Sequence, residues 1–199
     1  MAKLHFKYAS MNSGKSIDLI RTVYNYEENG YKVLVLKPKI DTKAGDSIQT
    51  RIGLERKVDI LIDKKDNVLK LLKNKLKDVS AIFIDEVQFL NKKQIDDLFL
   101  ISKIKDIPII CYGLRNNFMM ESFEGSKRLL EIADILEEFP TLCSCGNVAR
   151  YVGRKYKGKF QSSGSIVVID GKDNYEYVPL CGKCYLKNVK NIDFDKVLK

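Results

Sequence analysis

The chain has 199 residues, with 35 Lys or Arg against 26 Asp or Glu and a formal net charge of +9. That length suits one substantial domain plus a small appendage, and no apolar run approaches the ~20 residues of a membrane span. Met1-Ala2-Lys3-Leu4-His5 lacks the basic head and apolar core of a signal peptide, and five cysteines are too few and too clustered for a secreted disulfide scaffold. A soluble, cytoplasmic protein is expected.

The first strand is read from the alternation Leu4, Phe6, Tyr8. It runs into Ala9-Ser10-Met11-Asn12-Ser13-Gly14-Lys15-Ser16, and a helix follows from about Lys15 to Asn29 with Ile17, Ile20, Val23 and Tyr24 on one face. Strand, tight loop ending Gly-Lys-Ser, then helix is the context of a phosphate-binding loop. Backbone N–H groups and the helix N-terminus would offset phosphate charge. Lys15 would reach the β- and γ-phosphates of a bound nucleotide, and the Ser16 hydroxyl would hold Mg²⁺. Ala9 stands where the strict pattern has glycine, so the backbone there must be right-handed or extended. The alternative is an ordinary helix start that happens to carry Lys-Ser.

Asn29-Gly30 ends the helix, and Lys32–Lys37 is a buried-type strand stopped by Pro38. Residues 39–57 are polar and glycine-bearing without periodicity, which predicts either a lid over the phosphates or a surface insertion. Arg51 or Lys43 would supply the positive charge of a lid. Val58–Ile62 reads as a short strand, and Asp66–Leu76 as a helix with Val68, Leu69, Leu72 and Leu76 inward. Lysines 64, 65, 70, 73, 75 and 77 lie among acids, as on solvated helix faces, so no dedicated nucleic-acid surface is expected.

Ala81-Ile82-Phe83-Ile84 leads into Asp85-Glu86. An apolar strand ending in Asp commonly stands beside a phosphate loop, with Asp85 aimed at the Mg²⁺ shell. Glu86 follows at the carboxyl end of the strand, where open α/β sheets bind ligands, and a carboxylate there can take a proton from an attacking hydroxyl or water. Asn91 caps the next helix, and Ile107–Gly113 is another buried strand in which Cys111 is a small apolar residue. Gly113–Phe123 mixes Phe118, Met119, Met120 and Phe123 with polar residues, the chemistry of a pocket for a flat ligand or of ordinary core. A helix over Ser126–Leu136 completes this part.

The character changes near Pro140. Cys143-Ser144-Cys145 and Cys181-Gly182-Lys183-Cys184 present four thiols, which fit a closed, structural zinc site better than disulfides in this compartment. Between them, Val148–Tyr156 and Ile166–Ile169 read as strands joined by a mobile connection over Lys157–Ser165. Such a hairpin can close on a ligand and read a base edge by backbone hydrogen bonds. The expected fold is therefore a phosphate-loop α/β domain over 1–139, a parallel sheet flanked by helices. A small zinc-ribbon-like β domain follows over 140–199.

Taken together, Ser10–Ser16, Thr50-Arg51-Ile52-Gly53, Asp85-Glu86-Val87-Gln88-Phe89-Leu90, Tyr112-Gly113-Leu114-Arg115 and the cysteine pairs flanking Val168-Ile169-Asp170-Gly171 resemble the cytosolic-type, zinc-containing thymidine kinases. The resemblance runs through nearly the whole chain in order. It implies ATP- and Mg²⁺-dependent phosphorylation of thymidine, and of deoxyuridine, at the 5′-hydroxyl. Glu86 is then the general base, with Arg51 in the lid near the acceptor. Ala9–Ser16, Asp85 and Gln88 serve ATP, and Ser16 and Asp85 serve Mg²⁺. Phe118 would stack on or flank the thymine, and Ile166, Val167, Val168, Ile169 and Asp170 would hold the base by their backbone. Tyr175 would stand beside it, with Tyr177 as the alternative. The resemblance also implies a homotetramer inhibited by thymidine triphosphate. Three departures stand out: Ala9 stands where many members carry Gly, Asp170 replaces the first of a Gly-Gly pair, and the spacing from Ile169 to Cys181 is about two residues longer than usual. A zinc-ribbon ATPase acting on nucleic acid, with Glu86 activating water, is the rival reading, and a non-catalytic nucleotide-binding protein is the third.

Overall fold

The computed structural model describes residues 1–40, 45–166 and 174–197. The chain divides into two compact units, one of Met1–Tyr8, Gly14–Leu114 and Phe123–Glu138, the other of Ala9–Ser13, Arg115–Ser122 and Phe139–Lys199.

In the first unit the elements follow as β1 (Leu4–Ala9), α1 (Lys15–Glu28), β2 (Lys32–Pro38), β3 (Ser47–Gln49), β4 (Glu55–Lys57), β5 (Ile60–Ile62), α2 (Val68–Leu72), β6 (Val79–Ile84), a 3₁₀ turn (Val87–Phe89), α3 (Lys92–Ile104), β7 (Ile109–Leu114), α4 (Glu124–Ile132) and β8 (Ile135–Phe139). Six strands form one sheet in the order β5-β2-β6-β7-β1-β8, and β2 runs parallel to both β5 and β6, as β6 does to β7. Side chains alternate across a strand, so β2 and β6 each feed two cores. Leu34, Leu36, Ile82 and Ile84 pack with Leu72 of α2, Ile95, Leu98 and Ile101 of α3 and Leu129 of α4. Val33, Val35, Ala81 and Phe83 pack with Leu19 and Val23 of α1. Helices on both faces are why these strands read as continuous apolar runs.

Four expectations are corrected. The segment 39–57 is not structureless: Ser47, Ile48 and Gln49 pair antiparallel with Lys57, Arg56 and Glu55, and Ile48 is buried in the α1-side core. Arg51 is exposed in the turn at its tip, closed by Thr50 O accepting from Gly53 N at 3.1 Å and Leu54 O from Thr50 N at 2.9 Å. The second helix is shorter than expected. Asn67 caps it at the Lys70 N–H, and Asp78 at φ 60° turns the chain into β6. The helix expected to reach Leu136 stops at Ile132, because Asp134 is captured by the edge of β1. Its backbone N–H donates to Leu4 O at 2.9 Å, and its carboxylate accepts from Leu4 N and from Lys103. The chain beyond Asp134 is therefore extended, as the edge strand β8.

In the second unit β9 (Thr141–Leu142), β10 (Val148–Ala149), β11 (Tyr151–Tyr156), β12 (Lys159–Gln161), β13 (Tyr175–Leu180), α5 (Gly182–Asn188) and α6 (Phe194–Val197) follow. β11 pairs antiparallel with both β12 and β13, Tyr156 standing opposite Lys159 and Tyr175. The fourth correction lies here: the connection over Lys157–Ser165 contains β12, a hairpin partner of β11. The core is small, namely Cys143, Ala149, Leu180, Cys181, Tyr185 and Val189, too little apolar surface to sustain a fold without a staple. Lys43, in the expected lid, and Val167, Val168, Ile169 and Asp170, in the expected base-holding run, lie outside the described residues.

Candidate active site

β1 stays extended through Ala9, so alanine needs no left-handed backbone there. Among the loop residues that conformation falls on Asn12 at φ 62° and on Gly14 at φ 82°. Gly14 occupies the N-cap of α1 without a side-chain cap, and a helix N-terminus favours an anion. Lys15 is buried; desolvation holds its ammonium below the usual lysine range, while Glu86 and then Asp85 pull it back up.

Asp85 directly follows β6 and is 4% exposed. Its Oδ2 accepts from the Ser16 hydroxyl at 3.3 Å, so a hydroxyl and a carboxylate oxygen stand together, the hard donor set Mg²⁺ takes. Glu86 follows in the left-handed region at φ 50° and ψ 35°, a strained setting for a non-glycine residue. Its carboxylate accepts from Gln88 Nε2, while Gln88 Oε1 accepts from Leu114 N at 3.0 Å. Gln88 itself is buried.

In the second unit the Sγ atoms of Cys143, Cys145, Cys181 and Cys184 all lie within 4.8 Å of one another. Cys145 and Cys181 Sγ are 3.6 Å apart, close to the ~3.8 Å edge of a sulfur tetrahedron with Zn–S of about 2.3 Å. The four residues thus fit zinc. The Asn147 backbone N–H and carboxamide beside Cys145 pull its thiol down to about 6, and Cys181 Sγ accepts the Cys184 N–H at the start of α5.

Phe118 is 1% exposed. Arg154 lies over its ring, and its carbonyl accepts from the Tyr185 hydroxyl at 2.7 Å. Tyr175 sits in β13 with its ring centroid 4.9 Å from that of Tyr156, and Ile166 is exposed. Sequence reasoning missed the roles of Arg154 and Leu114. Period-2 alternation in β11 puts Arg154 on the face of buried Val152, a signal that was available. The Leu114 N–H, met by Gln88 from a distant segment, leaves no sequence trace.

A phosphate loop, a strand-end Asp-Glu pair and a four-thiol cluster define a zinc-compatible α/β phosphotransferase. The thymidine kinase family model matches residues 2–185, and the chain belongs to that family. Relatives named thymidine kinase include one from Francisella tularensis subsp. holarctica, 38% identical over 196 residues covering 95% of this chain and 99% of that one. One from Lactococcus lactis is 40% identical over 189 residues, covering 94% and 98%. One from Rhodopirellula baltica is 40% identical over 182 residues, covering 89% and 86%. Among the described residues no helix is long and apolar enough to cross a membrane.

Proposed function

We propose that this chain transfers the γ-phosphoryl group of ATP to the 5′-hydroxyl of thymidine, and of deoxyuridine, giving the monophosphate. The observation that carries the reading is the fixed Glu86 carboxylate one residue beyond Asp85, in a chain of the thymidine kinase family. ATP is taken by Ala9–Ser16 with Lys15 on its phosphates. Ser16 and Asp85 would hold Mg²⁺, which neutralises phosphate charge when bound.

Glu86 takes the 5′-hydroxyl proton as that oxygen attacks the γ-phosphorus in line, and the bond to the β–γ bridging oxygen breaks to release ADP. Most of the acceleration comes from positioning and charge stabilisation. Arg51, on the 39–57 segment, supplies charge near the acceptor. The C-terminal segment 140–199 serves the nucleoside, with zinc on the four cysteines as its staple. Phe118 flanks the thymine, Ile166–Asp170 hold it by their backbone, and Tyr175 stands beside it. A cytoplasmic homotetramer restrained by thymidine triphosphate completes the reading.

The test is Glu86→Gln, which keeps the shape and removes the base. Thymidine binding measured by titration should stay near the parent's, while turnover falls by roughly 10²-fold or more. Near-parental turnover would rule Glu86 out as the base.

A further inference from the structure

Arg154 is 2% exposed and, among the described residues, has no carboxylate within ion-pair distance. A buried guanidinium without a counter-ion is costly, and an apolar side chain of similar volume generally serves packing better. Its bonds account for its place. Nη2 donates to Ser163 O at 3.1 Å and Nη1 donates to Ser165 O, while Nε is buried without a partner. Gly164 lies between those carbonyls at φ +124°, where an added Cβ would stand 2.6 Å from Nη2. The chain therefore passes the guanidinium at a distance that favours glycine.

The same group lies over an aromatic ring. Its central carbon is 3.7 Å from the Phe118 centroid and 5.3 Å from that of Tyr175. Phe118 is held at its other end by the Tyr185 hydroxyl on its carbonyl, and Tyr185 belongs to α5, the helix that carries Cys184. One side chain thus joins the Phe118 ring, the Tyr175 ring and two carbonyls just ahead of Ile166.

We propose that Arg154 is the positioning residue of the nucleoside site, fixing the Phe118 ring and the Ser163 and Ser165 carbonyls against one planar fork. The inference rests on the reading of thymidine as acceptor and deepens it, because Arg154 acts on the nucleoside through these groups. A lysine keeps the charge but neither the fork nor the stacking plane, so Arg154→Lys and Arg154→Met should resemble each other.

The experiment is steady-state kinetics with each substrate varied in turn, with direct thymidine titration, on the full chain and both variants. Zinc content and melting temperature report the fold. Both variants should raise the thymidine KM and the titrated Kd by about tenfold or more, with the ATP KM and kcat changed by no more than about threefold. Unchanged thymidine KM in the variants of an active parent would overturn the role of Arg154 alone. So would equal loss for both substrates with a lowered melting temperature, the mark of a purely structural residue. Should Arg154→Met fail to fold, Arg154→Lys decides. A parent that transfers nothing to thymidine refutes the kinase reading and this inference with it.

Discussion

The Gln88 carboxamide donates from Nε2 to the Glu86 carboxylate while its Oε1 accepts the Leu114 N–H at 3.0 Å. A backbone N–H can only donate, so the amide has one orientation, and its NH₂ group must face the carboxylate. Gly113 permits the approach, since a Cβ there would stand 2.6 Å from Gln88 Oε1 and 2.9 Å from Val87 Cγ1.

Removing that tie should therefore act on the chemical step. Gln88→Leu is expected to lower kcat by about tenfold while leaving the ATP and thymidine KM values nearly unchanged. Gly113→Ala should do the same by displacing the amide. Steady-state kinetics decides between this and direct service of the nucleotide, in which the ATP KM would rise instead.

Lys15 is a buried cation whose ammonium is weakened by desolvation, and phosphate charge is what would relieve that cost. Lys15→Ala should abolish useful turnover and weaken ATP binding in protein that still melts cooperatively. An active Lys15→Ala enzyme would undo the phosphate-loop assignment.

The cysteine cluster predicts about one zinc per chain by metal analysis. Stripping it, or substituting Cys181→Ser, should unfold the segment after Phe139, because Cys181 belongs to the four-thiol cluster and is the N-cap of α5 and the core around it is small. Metal-free protein that stays folded and binds thymidine would contradict the zinc assignment.

A separate prediction concerns acid stability. Burial pushes the Asp18 carboxyl up, but hydrogen bonds from Arg21, Lys7 and Tyr112 outweigh it and hold it below the usual value. Such a depressed carboxylate stabilises the fold above its unfolded pKa near 3.8, and the contribution fades as pH falls through the lower folded value. Asp18→Asn should cost about 2 kcal/mol at neutral pH, with the difference from the parent shrinking below that range. Urea melts at two pH values check it, and a constant difference down to strong acid would contradict it.

How legible each feature was in the chain depends on how it is held. Val33–Leu36 and Ala81–Ile84 announced themselves because both faces of a parallel strand are buried. The cysteine pairs were legible because ligands need fixed chemistry at short spacing. β8 was not, since its helical-looking run is overridden by Asp134 docking on Leu4, 130 positions away in the chain. β3 and β4 were missed because only Ile48 of that hairpin is a buried apolar residue. Among the candidate site residues, Lys15, Ser16, Asp85 and Glu86 sit at the ends of regular elements, where motifs show. Gln88 to Leu114 and Arg154 to Phe118 are long-range ties, which only the fold brings together.

The most direct test offers the purified protein ATP, Mg²⁺ and a panel of thymidine, deoxyuridine, deoxycytidine and deoxyadenosine, and follows phosphate transfer. The account predicts transfer to thymidine and deoxyuridine and none to the other two. ATP bound but no phosphate passed to any nucleoside, with hydrolysis stimulated by DNA or RNA instead, would contradict it.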